Sequence, residues 1–123
     1  MLGLLAVAAG AASPPESSAS IPEAFQGRWD LKAGVCTDPN SFSAVEIGMD
    51  RLVYWEAGDE IISVLVERAD TITLKVRQYG PDSDDPETAP VTSLRLALIH
   101  GGKHLKIQEK GKPSNTFSRC SGN

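Results

Sequence analysis

The feature that most constrains this chain is an alternation of apolar and polar residues that repeats in short segments. It is clearest in segment 71–79, where Ile72, Leu74 and Val76 fall on one face and polar residues on the other. A period of two residues is typical of a β-strand with one buried face. The same pattern predicts seven further strands, in segments 28–32, 44–49, 52–56, 60–68, 93–100, 105–109 and 115–120.

The connections between these segments are short and carry turn residues. Segments 48–50, 57–59, 100–103 and 110–113 each contain glycine, and segment 80–90 is a longer acidic loop. Consecutive short strands joined by tight turns favour an antiparallel meander. The predicted fold is all-β, an eight-stranded antiparallel up-and-down small barrel, whose closure removes both sheet edges. A β-sandwich is the alternative architecture.

The residues predicted to face inward are almost all aliphatic. They are Val45, Ile47, Ile62, Val64, Val66, Ile72, Leu74, Val76, Leu94, Leu96, Leu98, Leu105 and Ile107. Side chains of this size just fill a small barrel. We therefore expect a packed interior rather than a roomy cavity, with any binding site on the loops, the rim or an N-terminal arm.

The N-terminus has a different composition from the rest of the chain. Residues 1–12 are apolar and uncharged and are predicted to be a signal peptide, although no Lys or Arg precedes Arg28. A frayed apolar tail or a short buried strand is the alternative. Residues 13–20, rich in serine and proline, are predicted to be a flexible linker or N-terminal arm, and residues 21–123 the barrel domain. This organisation predicts a periplasmic or secreted protein.

The chain contains two cysteines, Cys36 and Cys120. In an oxidising compartment such a pair most simply forms one disulfide. Two free, buried thiols are the alternative.

The bulk composition excludes some classes of partner. The chain has 123 residues, of which 41% are hydrophobic and 23% charged, and its formal net charge is −4. This length suggests one domain. An acidic chain without a basic cluster does not fit nucleic-acid binding. No apolar run reaches the roughly 18 residues of a membrane span, and a monomer is expected.

The segment Gly27-Arg28-Trp29 opens the first strand and resembles the calycin superfamily, which includes lipocalins, avidins and small bacterial metalloprotease inhibitors. The resemblance implies a structural signature of Gly27 and Trp29, with Arg119 of the last strand packing across the indole. The size is nearest to that of the inhibitors, which are periplasmic and plug a secreted protease with an extended N-terminal segment. Residues 13–20 would then be that arm.

We find no catalytic constellation and expect no enzyme, no metal site and no cofactor. His100 and His104 flank one turn, but zinc normally needs three or four ligands, so we interpret them as solvated turn residues. Glu56, Asp59 and Glu60 are interpreted as exposed hairpin charges.

The candidate partner-binding residues are an aromatic residue and an acidic loop. Trp55 is adjacent to Tyr54, so one of the two must point away from the core. An exposed Trp55 could anchor a partner, and burial beneath a neighbouring segment is the alternative. Asp82, Asp84 and Asp85 could meet a basic partner, or simply be a solvated loop. The sequence thus predicts a non-enzymatic binding protein, either an inhibitor of an envelope or secreted hydrolase or a lipocalin-type carrier of a small molecule.

Overall fold

The alternating segments form the strands of a single antiparallel sheet. The structure is a computed structural model and describes residues 16–18, 20–80, 85 and 87–120. Nine strands lie in this part of the chain: β1 (Glu16–Ser18), β2 (Gly27–Asp30), β3 (Ala44–Ile47), β4 (Arg51–Tyr54), β5 (Ala57–Arg68), β6 (Thr71–Tyr79), β7 (Val91–Ile99), β8 (His104–Glu109) and β9 (Ser114–Arg119). Three short 3-10 turns, Glu23–Phe25, Ala33–Val35 and His100–Gly102, complete the described secondary structure, and no described helix is long and apolar enough to cross a membrane.

Strands β2 to β9 close into an eight-stranded up-and-down barrel. Each of these strands pairs antiparallel with the next one along the chain, and β2 pairs with β9, with Trp29 opposite Arg119. The predicted fold class is confirmed. Closure leaves no free edge at the junction of the first and last barrel strands.

The interior is largely the aliphatic core that the alternation predicts. Of the thirteen residues predicted to face inward, ten are buried, and Val66 and Leu98 pack against the core while partly exposed. Leu52 and the larger side chains of Phe25 and Trp29 are also fully buried in this core.

Ile62 was predicted to face inward, and this is wrong, since 41% of it is exposed. The pairing of β5 with β6 shifts between Ile61 and Ser63, so Ile62 is the extra residue of a β-bulge. The bulge reverses the alternation at this point. Ile61 therefore packs against the core before the bulge and Val64 is buried after it.

Strand β5 is long enough to pair with two strands along the same edge. Its first residues, from Ala57 to Glu60, pair with β4, and Val64 to Val66 pair with β1. The predicted arm, residues 13–20, thus contributes a short strand to the sheet. The predicted signal segment, residues 1–12, lies outside the described residues.

Cys36 and Cys120 form the predicted disulfide. It fastens the β2–β3 connection to the end of β9. The buried carboxylate of Asp30 also holds this connection, because it accepts hydrogen bonds from the hydroxyl of Ser41 (2.8 Å), from that of Ser43 and from the backbone N–H of Lys32 (3.2 Å).

The two ends of the barrel differ. At one end, which we call the closed end, the segment from Ile21 to Phe25 is folded inward and both of these residues are buried. At the other end is an opening, which we call the barrel mouth. It is lined by the adjoining ends of β4 to β9 and by Gly80, Pro90, Lys112 and Pro113.

Candidate functional site

The barrel mouth contains a cavity of about 460 Å³. Its apolar lining includes Leu94, Ile107 and Phe117, from β7, β8 and β9. The expectation of a filled interior is wrong at this end. The residues that β5, β6 and β8 point into the opening are Asp59, Gln78 and Glu109, and polar side chains with hydrogen-bonding demands do not pack together as aliphatic ones do.

A chain of hydrogen bonds crosses the mouth. The phenol of Tyr54 donates to Oδ2 of Asp59 at 2.6 Å. The amide of Gln78 also hydrogen-bonds Asp59, and its Nε2 donates to Oε1 of Glu109 at 3.3 Å. Oε2 of Glu109 lies 3.2 Å from Nζ of Lys112. Four strands and one turn thus each contribute one polar group to the same opening.

Asp59 is the most strongly buried residue in this series of hydrogen bonds, with 4% of the residue exposed. Burial raises its pKa, the charge of Glu109 raises it further, and the hydrogen bonds from Tyr54 and Gln78 only partly compensate. Burial and the adjacent Asp59 raise the pKa of the Tyr54 phenol well above its usual range. Tyr54 therefore stays protonated and acts as a donor.

Asp59 was predicted to be an exposed hairpin charge, and this is wrong. The turn between β4 and β5 is formed by Trp55 and Glu56, with Glu56 in the left-handed region (φ 54°), and β5 begins directly afterwards at Ala57. Asp59 is paired with Leu52. Directly paired residues of an antiparallel sheet share a face, and Leu52 faces the core, so Asp59 does too. A turn placed at Trp55 and Glu56 rather than at residues 57–59 would have located Asp59 on the inner face.

At the closed end the guanidinium of Arg119 lies over the indole of Trp29, 4.1 Å from the ring centroid. Arg119 also donates to three backbone carbonyls, those of Ala24 (2.8 Å), Gly102 (3.1 Å) and Gln26 (3.3 Å). Gly27 has a φ of +120°, a conformation that a side chain would strain, and a Cβ there would lie 3.7 Å from Nη1 of Arg119. These residues hold the barrel closed and line no part of the mouth.

Two of the candidate partner-binding residues, Trp55 and Asp85, lie outside the cavity lining. Trp55 is 47% exposed, and the ring of Phe42 packs edge-to-face against it at 4.6 Å between centroids. The side chain of Asp85 accepts a hydrogen bond from the backbone of Glu87, which stabilises its own loop. Asp82 and Asp84 lie outside the described residues.

The structure brings His100 and His104 together. Their Nδ1 atoms are 2.9 Å apart and their rings are perpendicular. Within the described part of the chain, no third His, Cys, Asp or Glu joins them in a group that could hold a metal ion.

The pKa shifts of Asp59 and Asp30 have opposite directions, so the two residues should give the free energy of unfolding opposite pH dependences. The raised pKa of Asp59 means that its stabilising contribution is complete below the ordinary value of 3.8 and is lost as pH rises through its folded-state pKa. Asp30 is buried, which acts to raise its pKa, but hydrogen bonds from Ser43, Ser41 and Lys32 and the charge of Arg28 lower it below 3.8. Its contribution is complete above 3.8 and is lost as pH falls through the lowered value.

We therefore expect Asp59→Asn to become more stable relative to the wild type as pH rises above 3.8, and Asp30→Asn to become less stable relative to it as pH rises towards 3.8. Urea unfolding of the three proteins from about pH 2.5 to 7 measures both differences. Parallel pH profiles for the two variants would contradict the assignment of opposite shifts.

Comparison with protein-family models, with curated proteins and with solved structures finds no significant match to this chain.

Proposed function

We propose that this chain is a non-enzymatic, extracytoplasmic binding protein that holds a small molecule in the barrel mouth. The observation that carries the proposal is the cavity of about 460 Å³, with an apolar lining and a chain of polar groups across it. Ligand sites in proteins typically have volumes of about 300–1,000 Å³ and combine apolar walls with a few convergent polar groups. The mouth has both properties.

The chemistry of the lining indicates which ligand would fit. Leu94, Ile107 and Phe117 provide an apolar surface for the body of the ligand. The carboxyls of Asp59 and Glu109 provide acceptors, and among the described lining residues Lys112 provides a basic side chain. A ligand with an apolar body and a donor or ammonium head would complement these groups, whereas a carboxylate head would meet two acidic groups.

Three features support an extracytoplasmic, calycin-like protein. The disulfide between Cys36 and Cys120 is compatible with an oxidising compartment. The apolar stretch within residues 1–12 and the small residues Ala9-Gly10-Ala11 resemble the apolar region and cleavage site of a signal peptide. The contact of Trp29 with Arg119 next to Gly27 is the arrangement that the calycin resemblance implies.

The proposal is tested with three probes that share a phenylethyl body, namely phenethylamine, 2-phenylethanol and 3-phenylpropanoate. Amide chemical shifts in the 15N-labelled protein report where each probe binds. We expect shifts at Ile107, Glu109 and Phe117, and an affinity for the amine about ten-fold higher than for the alcohol, because charge-assisted hydrogen bonds are roughly twice as strong as neutral ones. The carboxylate should bind most weakly.

Matched variants separate the mouth from the surface. Asp59→Asn and Glu109→Gln should reduce the preference for the amine, because each removes an acidic group from the cavity. Glu46→Gln is the control, since Glu46 lies outside the cavity lining and its side chain is 63% exposed in an ion pair with Arg28. If none of the probes shifts the mouth residues, small-molecule binding in this cavity is refuted.

A protein partner is the second candidate function, and the exposed pair of Trp55 and Phe42 favours it. Aromatic side chains, Trp and Tyr above all, are enriched among the residues that anchor protein interfaces. Inhibition of a panel of secreted proteases and glycosidases, measured with the wild type and with Trp55→Ser, tests this role. An inhibitor that acts through this pair loses inhibition in the variant while probe binding in the mouth is kept.

A further inference from the structure

The two histidines of this chain, His100 and His104, form a contact at the closed end of the barrel that the proposed ligand site does not use. Their Nδ1 atoms face each other at 2.9 Å and both side chains are at the surface. In neutral imidazole one ring nitrogen carries a proton and the other is an acceptor. One Nδ1–H therefore donates to the other Nδ1, and the pair is arranged around a single shared proton.

The backbone that creates this contact is unusual. His100, Gly101 and Gly102 have φ values of 54°, 68° and 86°, three consecutive residues in the left-handed region. Glycine adopts this region freely, but a residue with a Cβ does so uncommonly. The turn places His100 directly beside His104, the first residue of β8, which is paired with Ile99. The juxtaposition is therefore fixed by the turn and by the register of β7 and β8.

The two nitrogens are close enough to share one metal ion. Their Nδ1 atoms are 2.9 Å apart, a normal hydrogen-bond length, so small ring rotations can bring both within metal–nitrogen bonds of about 2.0–2.1 Å to a single ion. Among the divalent first-row ions Cu²⁺ has the highest affinity for such ligands, and it prefers square-planar or tetragonal sites with nitrogen and oxygen ligands.

We propose that His100 and His104 bind a divalent transition-metal ion of tetragonal preference, Cu²⁺ above all, through both Nδ1 atoms. The ion takes the place of the shared proton, which moves through solvent to Nε2 of the donating ring, so that both rings carry their proton on Nε2. Small rotations of the rings aim both lone pairs at the ion. The remaining coordination positions stay open to water or to an external ligand, because no third protein ligand lies in reach among the described residues.

The charges around the pair are compatible with a bound cation. His100 and Arg119 line one surface depression at the closed end. The guanidinium of Arg119 is stacked on Trp29 and hydrogen-bonded to three carbonyls, so its position is fixed. Asp70 lines the same depression and contributes a negative charge. Lys103, between the two histidines, is exposed and free to turn towards solvent.

The test is a calorimetric titration of Cu²⁺ into the full chain, expressed without a histidine tag and with its disulfide intact. The chain contains two histidines in all, so a spectroscopic signal from two coordinated imidazoles can come from this pair alone. We expect one ion per chain and nitrogen hyperfine structure from two imidazoles in the electron paramagnetic resonance spectrum. Zn²⁺ should bind more weakly than Cu²⁺.

Two variants and a control make the test specific. His104→Gln and His100→Asn should each raise the dissociation constant for Cu²⁺ at least about ten-fold, because the second ligand no longer adds its high effective concentration. Asparagine is chosen at position 100 because it tolerates the left-handed region. Lys103→Gln should bind like the wild type. Equal affinity in the wild type and the two histidine variants, coordination by a single imidazole, or tighter binding of Zn²⁺ than of Cu²⁺ would each overturn the proposal.

Discussion

Removal of the disulfide is expected to lower the free energy of unfolding by roughly 4 to 5 kcal/mol. The bond joins residues separated by 84 positions, and the chain-entropy argument gives a large effect for so long a loop. A small domain typically has a total stability of about 5–15 kcal/mol. Cys36→Ser combined with Cys120→Ala, which avoids a buried hydroxyl at position 120, should therefore be close to its unfolding transition at 37 °C.

Chemical denaturation of this double variant and of the reduced wild type measures the effect, and both should agree because both lack the same bond. The loss should arise mainly in the unfolded state. In the folded state the β2–β3 connection remains attached through Asp30, Ser41 and Ser43 and through the bond from Arg28 to the carbonyl of Asp38. A reduced protein that is within about 1 kcal/mol of the oxidised one would contradict the entropic account.

The strands of this protein were largely predictable from the sequence because their alternation is a local property. In segment 71–79 the apolar residues Ile72, Leu74 and Val76 alternate with polar ones, and the predicted strand and the observed β6 have the same limits. The turns carry their own local signals, such as Gly101 and Gly111, both of which have positive φ. Eight such segments in succession favour a meander, and a meander of this size can bury its apolar face by closing on itself.

The errors arose where register, a non-local property, decides the outcome. Nothing in segment 60–68 marks Ile62 as the extra residue of a bulge, because the bulge is defined only by the pairing of β5 with β6. The inward position of Asp59 likewise depends on its pairing with Leu52. A shift of one residue moves a side chain to the opposite face, so a small error in turn position concealed the polar side of the cavity.

The candidate site was therefore less predictable than the fold. Tyr54, Asp59, Gln78 and Glu109 come from four different strands, and no spacing in the sequence relates them. Each of them, read alone, is an ordinary polar residue of a half-exposed strand. Only barrel closure brings the four to one opening, which is why a filled interior was predicted where a cavity exists.

Replacement of Trp29 by alanine is expected to lower the free energy of unfolding by about 3–5 kcal/mol. The side chain is fully buried, its Nε1 donates to the carbonyl of Phe25 at 3.0 Å, and Arg119 covers its ring. The variant loses the buried indole and leaves a cavity in its place. The carbonyl of Phe25 also loses a hydrogen-bond donor. Thermal and urea unfolding of the variant give the value, and a loss below about 1 kcal/mol would show that the closed end does not depend on the indole.

Arg119→Met separates the two contributions of the arginine, because methionine keeps an apolar stem over the ring but cannot donate to the carbonyls of Ala24, Gln26 and Gly102. The control is Arg51→Met, which breaks an exposed ion pair with Asp50 and should cost less than about 1 kcal/mol. A double-mutant cycle of Trp29→Ala with Arg119→Met isolates the contact between indole and guanidinium, for which about 0.5–2 kcal/mol is expected. If Arg119→Met costs clearly more than this coupling, the arginine stabilises the closed end chiefly by joining three backbone segments, and its stacking on Trp29 serves to hold the guanidinium in position for those bonds.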